Sequence, residues 1–183
     1  MGKPVHPATV HFPIAFLFLG FAMDILNHVR TSLPSTLSNN LLSAAEMSKA
    51  SYYLISIGLI SAIPAVVTGG REAIVMIAKQ GMWDSDGKTT TMKPKVKATI
   101  AHALMNDVVL AVTTYAWYSR RTAANASLAG KVGAASAYTP ATWMVISEVV
   151  ATVLMMMAAN VGGVLTYNFG VGFSRMDSGK KSQ

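Results

Sequence analysis

The chain contains no cysteine and little charge, with charged residues making up 13% of its 183 positions. Without cysteine it cannot form a disulfide, a zinc–thiolate site, a cysteine-ligated iron–sulfur cluster or a cysteine nucleophile. A soluble domain carries about 25% charged residues, so half that share argues against a surface that faces water on all sides. Intrinsic disorder is excluded as well, because it requires low hydrophobicity and 52% of these residues are hydrophobic. Phosphate loops, dinucleotide fingerprints and hydrolytic triads are also missing, so the sequence favours a non-enzymatic protein.

What the chain has instead is four long apolar segments, at about 7–29, 52–69, 98–118 and 141–169. Each approaches the roughly 20 residues with which a helix crosses a bilayer. We therefore predict one all-α domain, an integral membrane up-down four-helix bundle in contact with the lipid bilayer, followed by a polar tail at 174–183. Apolar residues at helical spacing in 73–78 predict a short interfacial amphipathic helix between helices 2 and 3.

The positive charge is distributed unevenly between the two sides of this predicted bundle. Four crossings place both termini on one side, which then holds ten of the fifteen lysines and arginines. The positive-inside rule predicts that this side is the cytoplasm or a matrix. The net charge of +7 is thus assigned to membrane orientation, and we predict no nucleic-acid partner.

Two histidines occupy similar depths in the predicted membrane segments, where ionisable groups are costly and are candidates for function. At 1.5 Å per residue, His11 lies about 6 Å into the first helix and His102 about 7 Å into the third. First and third helices run parallel and are often diagonal in such bundles. Two imidazoles at one depth can ligate a haem iron from both sides. We predict a small b-type cytochrome-like protein that binds haem b between His11 and His102, for electron transfer or redox sensing.

Other residues near that end of the bundle complete the predicted cofactor site. His6 is a further histidine that could itself be the ligand, and Asn106 shares a helix face with His102. The small residues Gly69, Gly162 and Gly163 could flank the macrocycle. Arg71 is a cation that could pair with the propionates. The same imidazoles could instead hold zinc or copper.

Two other interpretations stay open on the sequence alone. In a structural or assembly protein, the histidines would form hydrogen bonds between helices, and the small-residue faces would mediate a homo-oligomer or a larger membrane complex. The second concerns Asp24, His28 and Glu148, which are predicted to meet in the outer half of the bundle. They form either a cluster that fixes helix register or the proton or cation path of a small transporter.

Three motifs resemble a known transmembrane family. They are HPATVHFPIA at 6–15, AHALMN at 101–106 and GGVLTY at 162–167, and they are similar to motifs of domain of unknown function 2231. The resemblance implies a four-helix membrane protein and supplies no activity. The chain departs from the family pattern at Arg71 and Glu72, where an aspartate is frequent, and at Phe169, where a histidine is frequent.

Overall fold

The computed structural model describes residues 5–130 and 137–171 of the chain. In these ranges it contains four helices long and apolar enough to cross a membrane, which confirms the predicted all-α bundle. The predicted polar tail at 174–183 lies outside the described residues. A single 3-10 turn occupies Arg30–Ser32. The other elements are α1 Val5–Thr9, α2 His11–His28, α3 Ser35–Ser38, α4 Ala44–Gln80, β1 Trp83–Ser85, β2 Thr90–Met92, α5 Pro94–Leu128 and α6 Thr142–Tyr167.

The first membrane segment is interrupted at Val10, between α1 and α2. Pro13 has no N–H, so it cannot donate to the Thr9 carbonyl as the fourth residue of a regular turn would. The backbone bonds on either side persist, with Val10 N donating to the His6 carbonyl at 3.2 Å. The interruption leaves His6 on α1 and makes His11 the first residue of α2.

The second helix is much longer than its apolar segment. It begins at a capping box in which Ser43 Oγ accepts from the Glu46 N–H and Glu46 accepts from the Ser43 N–H. It ends only at Gly81, which has a φ of +68°. Residues 71–80 therefore continue α4, which corrects the prediction of a separate interfacial helix. The buried Met76 in this extension lies 3.9 Å from Thr99 Oγ1 near the start of α5.

A short hairpin of β1 and β2 connects α4 to α5. Asp86 accepts hydrogen bonds in its turn from the N–H groups of Thr89 and Lys88, at 2.7 and 3.0 Å. These bonds hold the pKa of Asp86 below its usual value. Pro94 occupies the first turn of α5, a position where its missing donor costs nothing.

The four long helices form a closed ring, because α4 and α6 each pack against both α2 and α5. Helices α2 and α5 consequently lie at diagonal corners. The α2–α4 contact is close because a Cβ on Gly20 would lie 2.7 Å from Ile55, and one on Gly58 would lie 2.6 Å from Leu17. The small residue Gly58 of α4 thus packs against α2 of the same chain. Association into an oligomer stays a prediction.

The bundle is apolar both inside and outside. Its outward faces expose large aliphatic side chains, such as Ile60 at 67% and Val67 at 65%, as expected for contact with lipid rather than water. The core consists of Leu17, Phe21, Ile55, Val109, Ala151 and Met155. We call the end that holds His6 and His102 the histidine end, and the end that holds Asp24, Arg120 and Glu148 the arginine end.

Candidate functional site

His6 is held against α4 by a backbone carbonyl. Its Nδ1 lies 3.0 Å from the Ala65 carbonyl oxygen and 3.2 Å from Thr68 Oγ1. A carbonyl only accepts, so the geometry requires Nδ1 to carry the proton and to donate it. In the neutral ring the lone pair is then on Nε2, which is the nitrogen available to a ligand.

His102 is held against α6 in the same way. Its Nδ1 lies 2.8 Å from the Ala158 carbonyl oxygen, which again places the lone pair on Nε2. Asn106, one turn further along α5, donates to the His102 carbonyl at 2.7 Å and lies 3.4 Å from Nε2. The predicted shared face of His102 and Asn106 is therefore present in the structure.

Each imidazole lies over a glycine that follows its carbonyl partner by four residues. A Cβ on Gly69 would lie 2.7 Å from His6 Cε1, and a Cβ on Gly162 would lie 3.1 Å from His102 Cε1. These two glycines create room for the histidine rings. A Cβ on Gly163, by contrast, would have nothing within 4 Å.

The two imidazoles lie next to each other in an edge-to-face arrangement. Their ring centroids are 6.5 Å apart and their planes are nearly perpendicular, at 89°. His11, the other ligand predicted from the sequence, is exposed on α2 instead. The structure thus brings His102 together with His6 and not with His11, which lies five residues further along the chain.

The cation predicted for the propionates lies elsewhere. Arg71 is exposed and follows Gly69 by two residues, a rotation of about 200° around the helix, so it is on the side of α4 away from His6. Glu72 returns to the histidine side and is half-buried. Among the described residues, no group of three or more His, Cys, Asp or Glu side chains is placed to hold a metal ion.

The arginine end contains a buried ion pair. Arg120 Nη1 lies 2.5 Å from Asp24 Oδ2, and Ser51 Oγ donates to Asp24 Oδ1 at 2.5 Å. Arg120 also donates to the Ser48 carbonyl at 2.9 Å and to the Tyr138 carbonyl at 2.7 Å. Asp24 and Arg120 are 0% and 2% exposed, so this pair is isolated from solvent.

Two of the three ionisable residues predicted to meet at this end do so, through a residue that the sequence analysis missed. Glu148 Oε1 lies 4.0 Å from Arg120 Nη1, which connects Glu148 to Asp24, whereas His28 is exposed. Arg120 lies just beyond the apolar segment predicted at 98–118. A helical pattern was available to find it, because most buried residues of α5 follow one stripe, which includes Val109, Thr113, Ala116, Arg120 and Ala124.

The profile of one family matches residues 2–175, nearly the whole chain, and that family is described as predicted membrane protein (DUF2231). The chain belongs to this family. The match extends over all four spans, confirms the resemblance carried by the three motifs, and with those spans indicates a multi-pass integral membrane protein. No curated protein matches the chain, and no solved structure does.

Proposed function

We propose that the protein binds one haem b between His6 and His102 and serves in electron transfer or redox sensing. The observation that carries this proposal is the pair of neighbouring, perpendicular imidazoles, 6.5 Å apart, each with its Nδ1 bonded to a helix carbonyl. His6 takes the place first predicted for His11.

The separation of the rings suits two axial ligands on one metal. A metal–imidazole bond is about 2 Å long, and the ligating nitrogen is about 1 Å from the centre of its ring. Two imidazoles on opposite sides of one iron therefore have centroids about 6 Å apart, close to the 6.5 Å between His6 and His102.

The hydrogen bonds of the rings are those of metal ligands. A ligating histidine almost always donates its other N–H to a carbonyl, a carboxylate or water, which fixes its tautomer and its orientation. The carbonyls of Ala65 and Ala158 accept these bonds here. Because backbone groups of α4 and α6 set both rings, the two Nε2 atoms are oriented before any ligand arrives, and at His102 the ligand takes the place of Asn106 Nδ2, which lies 3.4 Å from Nε2.

The small number of ligands favours haem over a bare ion. Structural zinc takes four protein ligands and catalytic zinc usually three, whereas the described residues offer no such group. A haem brings its own equatorial nitrogens and asks the protein only for axial ligands. In this proposal Gly69 and Gly162 seat the imidazoles, and Arg71 has no role because it lies on the far side of α4.

The absorption spectrum of protein purified from haem-replete cells tests the proposal. We expect a Soret band in the parent protein and in His11→Ala, the exposed control, and loss or a large shift of the band in His6→Ala and in His102→Ala. Colourless parent protein with no extractable haem overturns the proposal. A band that His11→Ala removes and His6→Ala leaves intact restores the pair predicted from the sequence.

We also propose that both termini lie on the cytoplasmic or matrix side. The support is the excess of lysine and arginine on that side, including Lys88 and Lys93 in the segment that connects α4 to α5. The absence of native cysteine makes single-cysteine labelling clean. In intact cells, an impermeant thiol reagent should modify Asn39→Cys and spare Lys88→Cys, and the reverse result overturns this orientation.

A further inference from the structure

The arginine end buries more negative charge than positive charge. Two carboxyl groups, Asp24 and Glu148, accompany a single guanidinium, Arg120, and all three are at most 3% exposed. No other charged side chain of the described residues forms an ion pair with this cluster. α4 contributes only hydroxyl and carbonyl groups, from Ser51 and Ser48.

Arg120 directs its hydrogen bonds away from Glu148. Its Nη1 bonds to Asp24 at 2.5 Å, its Nη2 bonds to Ser51 at 2.9 Å, and its Nε bonds to the Tyr138 carbonyl at 3.1 Å. Glu148 Oε1 is 4.0 Å from Nη1, too far for a hydrogen bond. Glu148 Oε2 is buried and has no hydrogen-bond partner among the described residues. The guanidinium therefore pairs first with Asp24, and the second carboxyl group is compensated only in part, by the 4.0 Å contact of its Oε1.

Glu148 lines a small cavity at this point. The cavity has a volume of about 10 Å³, and its other polar side chains are Arg120, Thr113 and Ser147. A space of this size holds about one water molecule if two or more polar partners surround it. Ser147 already donates its hydroxyl proton to the Met144 carbonyl at 2.7 Å, so its oxygen is left to accept.

We propose that Glu148 is a proton-binding site, neutral at physiological pH, which exchanges its proton through a water bound between Thr113 and Ser147. An ionised carboxylate buried without a partner carries a large desolvation penalty, and a buried carboxyl group escapes it by taking up a proton. The site is a different part of the molecule from the histidine end and does not depend on haem.

Infrared spectroscopy of the protein in lipid tests this proposal. At neutral pH we expect the C=O band of a protonated carboxylic acid, shifted in D2O. The band should be lost in Glu148→Gln and kept in Asp107→Asn, a control at an exposed carboxylate. If the band is absent, survives in Glu148→Gln, or does not shift after prolonged incubation in D2O, the proposal is wrong.

Thermal unfolding gives a second readout that separates the two carboxyl groups. Glutamine resembles a neutral glutamic acid, so Glu148→Gln should keep the parent melting temperature, whereas Asp24→Asn deprives Arg120 of its counter-charge and should lower it. An equal loss in both variants would show that Glu148 is ionised and pairs with Arg120.

The proposed water predicts a difference between two neighbouring threonines. Thr113→Val should slow the deuterium shift of the band, because it removes a polar partner from the cavity wall. Thr114→Val, at an exposed position, should leave the exchange rate unchanged. Equal exchange in the two variants would overturn the role of the cavity.

Discussion

The histidine end and the arginine end hold their polar groups in opposite ways. At the histidine end, two imidazoles are half-buried, and a backbone carbonyl accepts a hydrogen bond from Nδ1 of each. At the arginine end, charged groups are fully buried, and Arg120 donates to Asp24, Ser51, Ser48 and Tyr138. At the histidine end, Nε2 of His6 has no hydrogen bond among the described residues and Nε2 of His102 has one long contact, 3.4 Å from Asn106, whereas the arginine end satisfies nearly every atom internally.

The difference between the two ends corresponds to two roles, ligand binding and the stabilisation of helix packing. A group that is to bind a ligand must be oriented without using its ligating atom, which is what the Nδ1 bond of His6 achieves. A group that holds helices together gains from using every donor, as Arg120 does in joining α2, α4 and α5. Within the arginine end, Glu148 is the exception that retains an unpartnered atom.

The largest expected effect comes from breaking the buried ion pair. Removing one partner leaves an uncompensated buried charge and costs about 3–5 kcal/mol. We expect Arg120→Met to lose about this much in the free energy of unfolding, measured in detergent micelles. Arg121→Met is the matched control, because Arg121 is exposed beside Trp117.

A double variant distinguishes a lost pair from lost packing. Replacing both charges by apolar residues, as in Arg120→Met with Asp24→Leu, should recover most of the stability, because well-packed apolar substitutes for a buried pair are often neutral. If the double variant loses as much free energy of unfolding as the two single variants lose together, the charges do not act as a pair.

The second expected effect concerns the glycines under the imidazoles. In Gly69→Ala the new methyl would lie 2.7 Å from His6 Cε1, so the ring must move, at a cost of about 1–3 kcal/mol for overpacking. Gly70→Ala has nothing within 4 Å and should gain up to about 1 kcal/mol from helix propensity. Thermal unfolding of the two variants checks this, and equal shifts would show that Gly69 does not seat the ring.

Several features of this fold were predictable from the sequence because they depend on one-dimensional patterns. Apolar runs located the four spans, whereas the rise per residue alone matched His102 with His11 rather than with His6. Direction around the helix was the missing consideration, because five residues rotate by about 140° and His6 and His11 therefore lie on different faces. The interruption at Val10 does not change this argument, since Val10 keeps helical dihedral angles.

Arg120 shows a second limit of predicting structure from linear sequence patterns. It lies just beyond the apolar run at 98–118, so the length of that run did not indicate its place on the buried stripe that contains Thr113 and Ala116. Two buried carboxyl groups demand a cation, so the prediction that Asp24 and Glu148 meet already implied a missing partner. The identity of that cation depends on where α5 ends. Because α5 continues to Leu128, Arg120 lies within the helix.

A smaller effect is expected at the hydroxyl group beside His6. Thr68 Oγ1 lies 3.2 Å from His6 Nδ1 and 3.2 Å from Thr9 Oγ1. Thr68→Val keeps the shape and removes these bonds, so the free energy of unfolding should fall by about 0.5–1.5 kcal/mol. Thr122→Val, whose hydroxyl is exposed and bonds only along its own helix, should change it less. A larger loss in the control would remove this threonine from the histidine site.

The smallest effects are expected at the two exposed histidines, which complete the comparison between the ends. His11 and His28 are the first and last residues of α2, and both are exposed. Substitution of either by alanine should change the free energy of unfolding by less than about 0.5 kcal/mol. The two substitutions test different ends of the bundle, since His11 is near the histidine end and His28 near the arginine end. If His11→Ala alone alters a bound cofactor, exposure is a poor guide to function at the histidine end. If His28→Ala alone destabilises the bundle, the arginine end includes the histidine that the structure places outside it.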